Sequence, residues 1–217
     1  MNRHKKLVEK RVLREVRARE KKENKILRAA ERVFVKKGFD GTRMEDIAKA
    51  SGLAKANVYY YFKTKKEVYR RIISELHDEW GKAFEEISAD REPKEALTAY
   101  IKAKLRYSKE HSIVSKIFAG EVVRGSFLVA KSEKEHMRNL TAEKCRVIQS
   151  WIDQGKMNQV DPAHFLLLIW SATQFYADFE QNAKIALDVS RLSDKDYENA
   201  EKLICDVVLR GCGLNND

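Results

Sequence analysis

Apolar residues recur along this chain at intervals of three and four, and no stretch alternates polar and apolar positions as a strand would, so the pattern predicts an all-α fold. A compact helix begins at Ile26, with Ala29, Ala30, Val33 and Phe34 on one face. It closes near Lys37, where Lys36, Lys37 and Gly38 supply the charge and the left-handed stop that helix ends favour. Thr42-Arg43-Met44-Glu45 has the T-x-x-E form of a capping box, so a short helix is expected to start there and to bury Ile47 and Ala48. Gly52 permits a sharp turn into a second short helix carrying Val58 and Phe62. From Lys65 to about Ile87, the residues Val68, Tyr69, Ile72, Ile73, Leu76, Trp80, Phe84 and Ile87 keep helical spacing. Further helices are predicted over 93–109, 112–123, 126–154, 162–182 and 194–212. Asp161-Pro162 announces the fourth of these, an N-cap residue followed by a proline whose missing amide costs nothing at that position.

Charge divides the chain. Residues 1–74 hold 23 Lys and Arg against 9 Asp and Glu, a net of +14, whereas residues 75–217 hold 20 against 24, a net of −4; together they make the overall +10. Segregation of this kind points to a polyanion met by the N-terminal third. Eleven of the basic residues fall within the first 25 positions, among them Lys5, Lys6, Lys10, Arg11, Arg14, Arg17, Arg19, Lys21 and Lys22, interrupted by four glutamates. Leu7, Val8, Val12 and Val16 give this arm only a thin helical stripe. It reads either as a solvated extension or as an arm that follows phosphates or enters the minor groove.

The stretch from Thr42 to Phe62 carries the functional signal. A helix of about seven residues, a glycine turn and a second helix presenting polar and aromatic residues form the arrangement that lays one helix in the DNA major groove. In Lys55-Ala56-Asn57-Val58-Tyr59-Tyr60-Tyr61-Phe62, burial of Val58 and Phe62 leaves Lys55, Asn57 and Tyr61 for the groove, while Tyr59 reads as core. Asn pairs with an adenine edge, and Lys and Tyr reach phosphates or base acceptors.

These residues resemble the TetR family of bacterial transcription regulators. The likeness runs through Gly38-Phe39-Asp40-Gly41-Thr42-Arg43-Met44-Glu45-Asp46-Ile47-Ala48, Ser51-Gly52-Leu53 and Val58-Tyr59-Tyr60-Tyr61-Phe62-Lys63-Thr64-Lys65. It implies DNA contact by Thr42 and Arg43, by Lys55, Asn57, Tyr60 and Tyr61 on the recognition helix, and by Lys65 at the next helix start. Two positions depart from the pattern: Ala54 stands where a serine usually caps the recognition helix, and Ala56 where glycine or another small residue is frequent.

Residues 164–179, HFLLLIWSATQFYADF, are apolar nearly all round, as in a helix buried between neighbours or against a partner subunit. Trp170 and Gln174 are four apart and so share a face; an indole can stack on a planar ring and an amide can answer a neighbouring carbonyl and N–H. Trp80 is a candidate second wall, although core packing alone would also account for both tryptophans. The run 169–179, with Gly155-Lys156 and Asp161-Pro162, is similar to the RutR-type regulators of pyrimidine utilisation within the same family. That resemblance implies a small planar effector such as uracil or thymine near Trp80, Trp170 and Gln174, with Phe118, Tyr107 and Glu121 as further candidates. It also implies a homodimer made by the helices at 162–182 and 194–212, whose two recognition helices meet half-sites ~34–36 Å apart on a palindromic double-stranded operator.

The expected organisation is therefore a basic arm over 1–25, a three-helix helix-turn-helix domain over 26–70, and a larger helical effector-binding and dimerisation domain over 71–217. The function expected is that of a repressor whose operator affinity changes with a small-molecule effector; a sensor of hydrophobic or drug-like compounds and a helical scaffold without DNA binding are the alternatives. Catalysis is not expected, because His4, His77, His111, His136 and His164 are scattered and no metal-ligand pair, nucleophile elbow or phosphate-cradling loop appears. No cofactor or metal is expected. Cys145, Cys205 and Cys212 lack paired spacing and fit a reducing compartment. With no membrane-length apolar run and no signal-peptide pattern, the chain reads as cytoplasmic.

Overall fold

The computed structural model describes residues 3–125 and 128–214, with side chains from residue 13 onward except in those gaps. The described residues form ten α-helices and no strand. The chain divides into two compact units, residues 1–72 and 73–217.

In the first unit α1 (Arg3–Lys37) is one continuous 35-residue helix that takes in both the basic arm and the segment expected to start at Ile26. The side chains of Lys5, Lys6, Lys10 and Arg11 lie outside the described residues. Residues 13–22 are all exposed, and packing begins only with Ile26 and Leu27. Helix α2 (Met44–Ser51) follows, then α3 (Lys55–Tyr61) and the start of α4 (Lys65–Phe84). Ala29, Ala30, Phe34, Ile47, Val58, Phe62, Val68 and Tyr69 are buried, as their helical spacing requires. Edge-on contacts of Tyr69 with Phe34 at 5.0 Å and Phe39 at 5.1 Å close the core.

The start of α2 departs from the expected capping box. Arg43, not Thr42, is the N-cap residue, and its backbone N–H donates to the Asp46 carboxylate at 3.0 Å. An arginine side chain has no acceptor, so only this half of the box exists. The Thr42 hydroxyl is turned the other way, donating to the Gly38 carbonyl at 2.7 Å and closing the α1–α2 turn. Gly52, at φ 63°, makes the left-handed stop between α2 and α3. As the sequence suggests, Ala54 gives α3 no side-chain cap.

Helices α5 (Pro93–Glu110), α6 (Ser112–Val123), α7 (Lys131–Asp153), α8 (Pro162–Asp178), α9 (Glu180–Ala186) and α10 (Asp194–Gly211) build the second unit with the end of α4. Where one helix was expected over 126–154, α7 begins at Lys131; positions 126 and 127 lie outside the described residues. The helix expected over 162–182 breaks at Phe179, whose φ and ψ of −115° and 37° end α8 and lead into α9. Asp161 caps α8 as expected, accepting from the His164 N–H at 2.9 Å. Leu97, Tyr100 and Ile101 of α5, Trp151 of α7, Leu166 and Ile169 of α8, and Ile204 and Val208 of α10 pack into one core.

One polar group ties the first unit together. The Lys65 ammonium at the start of α4 donates to the carbonyls of Phe39 at 2.8 Å, Asp40 at 3.1 Å and Thr42 at 3.0 Å, and lies 4.6 Å from the Phe39 ring centre. All three of its N–H donors are engaged. Replacing Lys65 by Met is expected to cost about 2 kcal/mol, since hydrogen bonds to charged groups are worth about 1.5–3 kcal/mol. Lys66→Met, at an exposed neighbour, is expected to stay within about 0.5 kcal/mol of the parent. Urea unfolding of both variants checks this; equal midpoints would show that the brace contributes nothing.

Candidate functional site

The first site is the outer face of α3. Burial of Val58 at 0% and Phe62 at 5% turns Lys55, Asn57 and Tyr60 outward, with Tyr60 68% exposed. Tyr61 is half-buried and meets Tyr60 edge-on at 5.2 Å. Tyr59, expected in the core, is half-buried, with the Lys55 ammonium 5.6 Å from its ring centre. Lys55 is ion-paired with Glu45, which holds the Glu45 carboxyl below its ordinary pKa and raises the amine. Both side chains are more than half exposed, so the pair is weak and a phosphate can displace the carboxylate.

Arg43 is exposed at the start of α2. Two other residues expected at the DNA are placed differently. Thr42 is 1% exposed with its hydroxyl committed to Gly38, and the Lys65 ammonium is committed to three carbonyls. Their geometry sets the α1–α2 turn and the entry to α4, and so positions the face that Arg43, Lys55, Asn57, Tyr60 and Tyr61 present.

The second site is a cavity of about 710 Å³ within residues 73–217. Trp80, Phe118, Trp170 and Gln174 all line it. Tyr107 and Glu121 do not: Tyr107 packs against Trp80, ring centres 6.4 Å apart, and Glu121 is buried and accepts from the Leu128 N–H at 2.7 Å. Trp80 meets Phe118 edge-on at 4.9 Å, and Phe84 lies 5.9 Å from Trp170. These aromatic surfaces give the cavity flat apolar walls.

Two hydrogen bonds on its lining join α5 to α8. The Trp170 indole N–H donates to the Tyr100 hydroxyl at 2.6 Å, and the Lys104 ammonium donates to the Gln174 side-chain oxygen at 3.3 Å. Lys104 is 4% exposed, its Nζ 4.2 Å from the Trp80 ring centre. Burial drives its pKa down to about 7, against the opposing pull of the Asp178 carboxylate. Asp178 is itself pushed upward by burial, although it accepts from the Ser115 hydroxyl and lies near Lys104 and Lys116. Burial likewise raises the Tyr100 phenol and lowers the His77 imidazole.

Tyr100 and Lys104 were not singled out from the sequence. The signal was present: Ala96, Leu97, Tyr100, Ile101, Lys104 and Leu105 follow the buried stripe of α5, so Lys104 stands where the helical period calls for an apolar residue. Arg138, also on the cavity lining, comes from α7, where nothing marks it among many charged neighbours. No described group of His, Cys, Asp and Glu residues could hold a metal ion, and no described helix is long and apolar enough to cross a membrane.

Residues 26–72 match the family described as bacterial regulatory proteins, tetR family, and residues 73–215 match the YcdC-like protein, C-terminal region. The HTH-type transcriptional regulator RutR of Escherichia coli (strain K12) is 33% identical over 193 residues, covering 87% of this chain and 91% of the relative. The HTH-type transcriptional repressor NicS of Pseudomonas putida is 28% identical, covering 86% and 90%. A bacterial regulatory protein in the tetR family from Rhodococcus RHA1 shares the fold with a TM-score of 0.71 at 19% identity, covering 90% of this chain and 99% of that one. Both family matches and both curated relatives are regulators rather than enzymes. This chain accordingly belongs to the TetR family of bacterial transcriptional regulators, with a helix-turn-helix that binds DNA and a YcdC-like C-terminal region.

Proposed function

We propose that this regulator represses transcription from a palindromic operator and that a small planar effector in the Trp80–Trp170 cavity changes its affinity for that operator. NicS, a relative over most of the chain, is named as a repressor, which favours repression here. On the DNA side the reading rests on Arg43, Lys55, Asn57, Tyr60 and Tyr61, with Thr42 and Lys65 as braces. Asn57→Ala and Tyr61→Ala are each expected to weaken binding to operator fragments by about 1–3 kcal/mol. That is about five- to 150-fold in a gel-shift titration. Unchanged specific binding in both would remove α3 from the interface.

The arm extends this interface. Arg14, Arg17, Lys21 and Lys25 follow one another at steps of three, four and four, so they form a single stripe along α1, with Glu15, Glu20 and Glu23 on other sides. Lys25 Nζ lies 3.9 Å from where a Cβ on Gly52 would stand, so the stripe leads away from the turn between α2 and α3. A helix rises ~1.5 Å per residue, giving this stripe a length of ~17 Å. Such a row of charges suits the phosphates flanking a half-site. Replacing all four by Gln is expected to flatten the slope of log K against log salt by up to ~3.6. An unchanged slope would mean that the arm stays in solvent.

The dimer proposed is made by α8 and α10, whose outward residues Leu167, Leu168, Phe175, Phe179, Leu203 and Val207 are large, apolar and exposed in the single chain. A monomer by light scattering at micromolar concentration would overturn it.

The observation that carries the effector reading is the convergence of Trp80, Phe118, Trp170 and Gln174 on one cavity. Flat aromatic walls accept a planar ring, and the Gln174 amide supplies both a donor and an acceptor, as an oxopyrimidine such as uracil or thymine requires. A cavity of about 710 Å³ is roomier than one such ring needs and favours a second reading, a larger hydrophobic compound. Calorimetry with pyrimidines, purines and hydrophobic compounds separates the two. Binding of uracil or thymine that falls about tenfold or more in Gln174→Ala is expected; binding of apolar compounds that tolerates this change would select the second reading.

A further inference from the structure

The charges around the cavity are one-sided. His77, Lys104, Lys134 and Arg138 line it, and no carboxylate does among the described residues. Lys134 and Arg138 are exposed on α7, whereas Lys104 is 4% exposed on α5. The environment of Lys104 is unusual for a buried cation. Among the described residues it makes one hydrogen bond, the long one to Gln174 at 3.3 Å, and lies over the Trp80 ring. Asp178, the acidic group that acts on it, instead accepts a hydrogen bond from the Ser115 hydroxyl. A buried ammonium with three donors and no carboxylate bonded to it is costly, and a neutral amide and an aromatic face relieve only part of that cost.

We infer that the effector is an anion, a planar ring bearing a carboxylate, whose oxygens pair with the Lys104 ammonium while the ring lies against Trp80 and Trp170. This rests on the reading of the cavity as the effector site. The carboxylate supplies the acceptors that the cavity lacks, and a charge-assisted pair inside a desolvated pocket is stronger than the neutral hydrogen bonds available to an uncharged ring. Lys134 and Arg138 add positive charge along the route of entry.

Proton linkage follows from the same arrangement. Lys104 shares the cavity with His77 and Trp80 of α4, Lys134 and Arg138 of α7 and Gln174 of α8, and it feels Asp178 of α8, which in turn meets Ser115 and Lys116 of α6. With its pKa near 7, Lys104 is largely neutral at pH 8. An anion beside it favours the charged form, so carboxylate binding takes up a proton, and the affinity falls as pH rises from 7 to 9.

The test is calorimetry on the full chain with two pairs of probes, uracil against uracil-6-carboxylate and benzamide against benzoate, at pH 6.5 and 8.5, repeated on Lys104→Met and Lys104→Gln. The expected result is that at least one carboxylate binds ten times or more tighter than its neutral counterpart at pH 6.5. Both variants should abolish this preference and the proton uptake, which is read from buffers of different ionisation enthalpy. Thermal melting controls for folding; Met in place of a poorly paired buried charge is expected not to lower the midpoint. Uracil binding as tightly as its carboxylate, or a preference that survives loss of Lys104, overturns the inference and leaves the planar-effector reading standing. Failure of every ring to bind overturns both.

Discussion

Two polar rungs set the register between α5 and α8. Tyr100 and Lys104 are one helical turn apart on α5, as are Trp170 and Gln174 on α8, and the pairs meet as Trp170 to Tyr100 at 2.6 Å and Lys104 to Gln174 at 3.3 Å. Apolar helices packed on each other lose little when one slides past the other by a turn, because Leu, Ile and Phe contacts are non-directional. A slip of one turn in either direction would strand the indole N–H and the ammonium, each at a cost of about 1–3 kcal/mol or more. Buried polar groups that specify register in this way are a recognised use of an otherwise expensive arrangement. The cavity inherits its shape from them, since all four residues line it.

Helix α8 serves two surfaces. Phe165, Leu166, Ile169, Thr173 and Ala177 face the core, while Leu167, Leu168, Phe175 and Phe179 are exposed. A helix apolar on both sides needs cover on both, and in a family whose members act as dimers a second copy is the natural source. The helix that walls the cavity is then also part of the proposed dimer face. A ligand that shifts Trp170 or Gln174 acts on that face directly, with coupling of the usual size, about 1–3 kcal/mol, requiring no long relay. Helix α4 belongs to both units in sequence: it begins at Lys65 beside the α1–α2 loop and, fifteen residues on, carries Trp80 at the cavity.

Much of this was legible in the sequence, and the exceptions have physical reasons. Helical periodicity located α4, α5, α6 and α10 closely, because each buries one stripe and exposes the other. It misplaced the end of α8, where apolar residues continue past the break at Phe179 and hide it. The T-x-x-E signature at Thr42 marked a helix start one residue early, because the hydroxyl found a better acceptor in Gly38 O. Trp80, Trp170 and Gln174 were legible as aromatic and amide residues in apolar surroundings, while Phe118 came only with the family resemblance. Lys104 was not, because lysine is read as surface by default and only the α5 stripe contradicts that reading. Lys65 is a related case: a lysine beside a DNA-reading motif suggests phosphate contact, and its bracing of three carbonyls inside the unit has no sign in the sequence.

The charge division also admits a fuller interpretation. A net of +14 in residues 1–74 and −4 in the remainder would seem to send every anion to the N-terminal third. Net charge acts over the Debye length, about 8 Å at physiological salt, and DNA is long enough to sum it over the arm and α3 together. A small anion responds instead to the few charges lining the path it takes. Inside the cavity, with Lys104, Lys134 and Arg138 on its lining and no carboxylate there among the described residues, the local field is positive although the surrounding unit is negative. The acidic exterior disfavours nucleic acid on that unit, while the enclosed cation remains available to a ligand small enough to enter. Two classes of anion can thus be held apart on one chain by size as well as by charge.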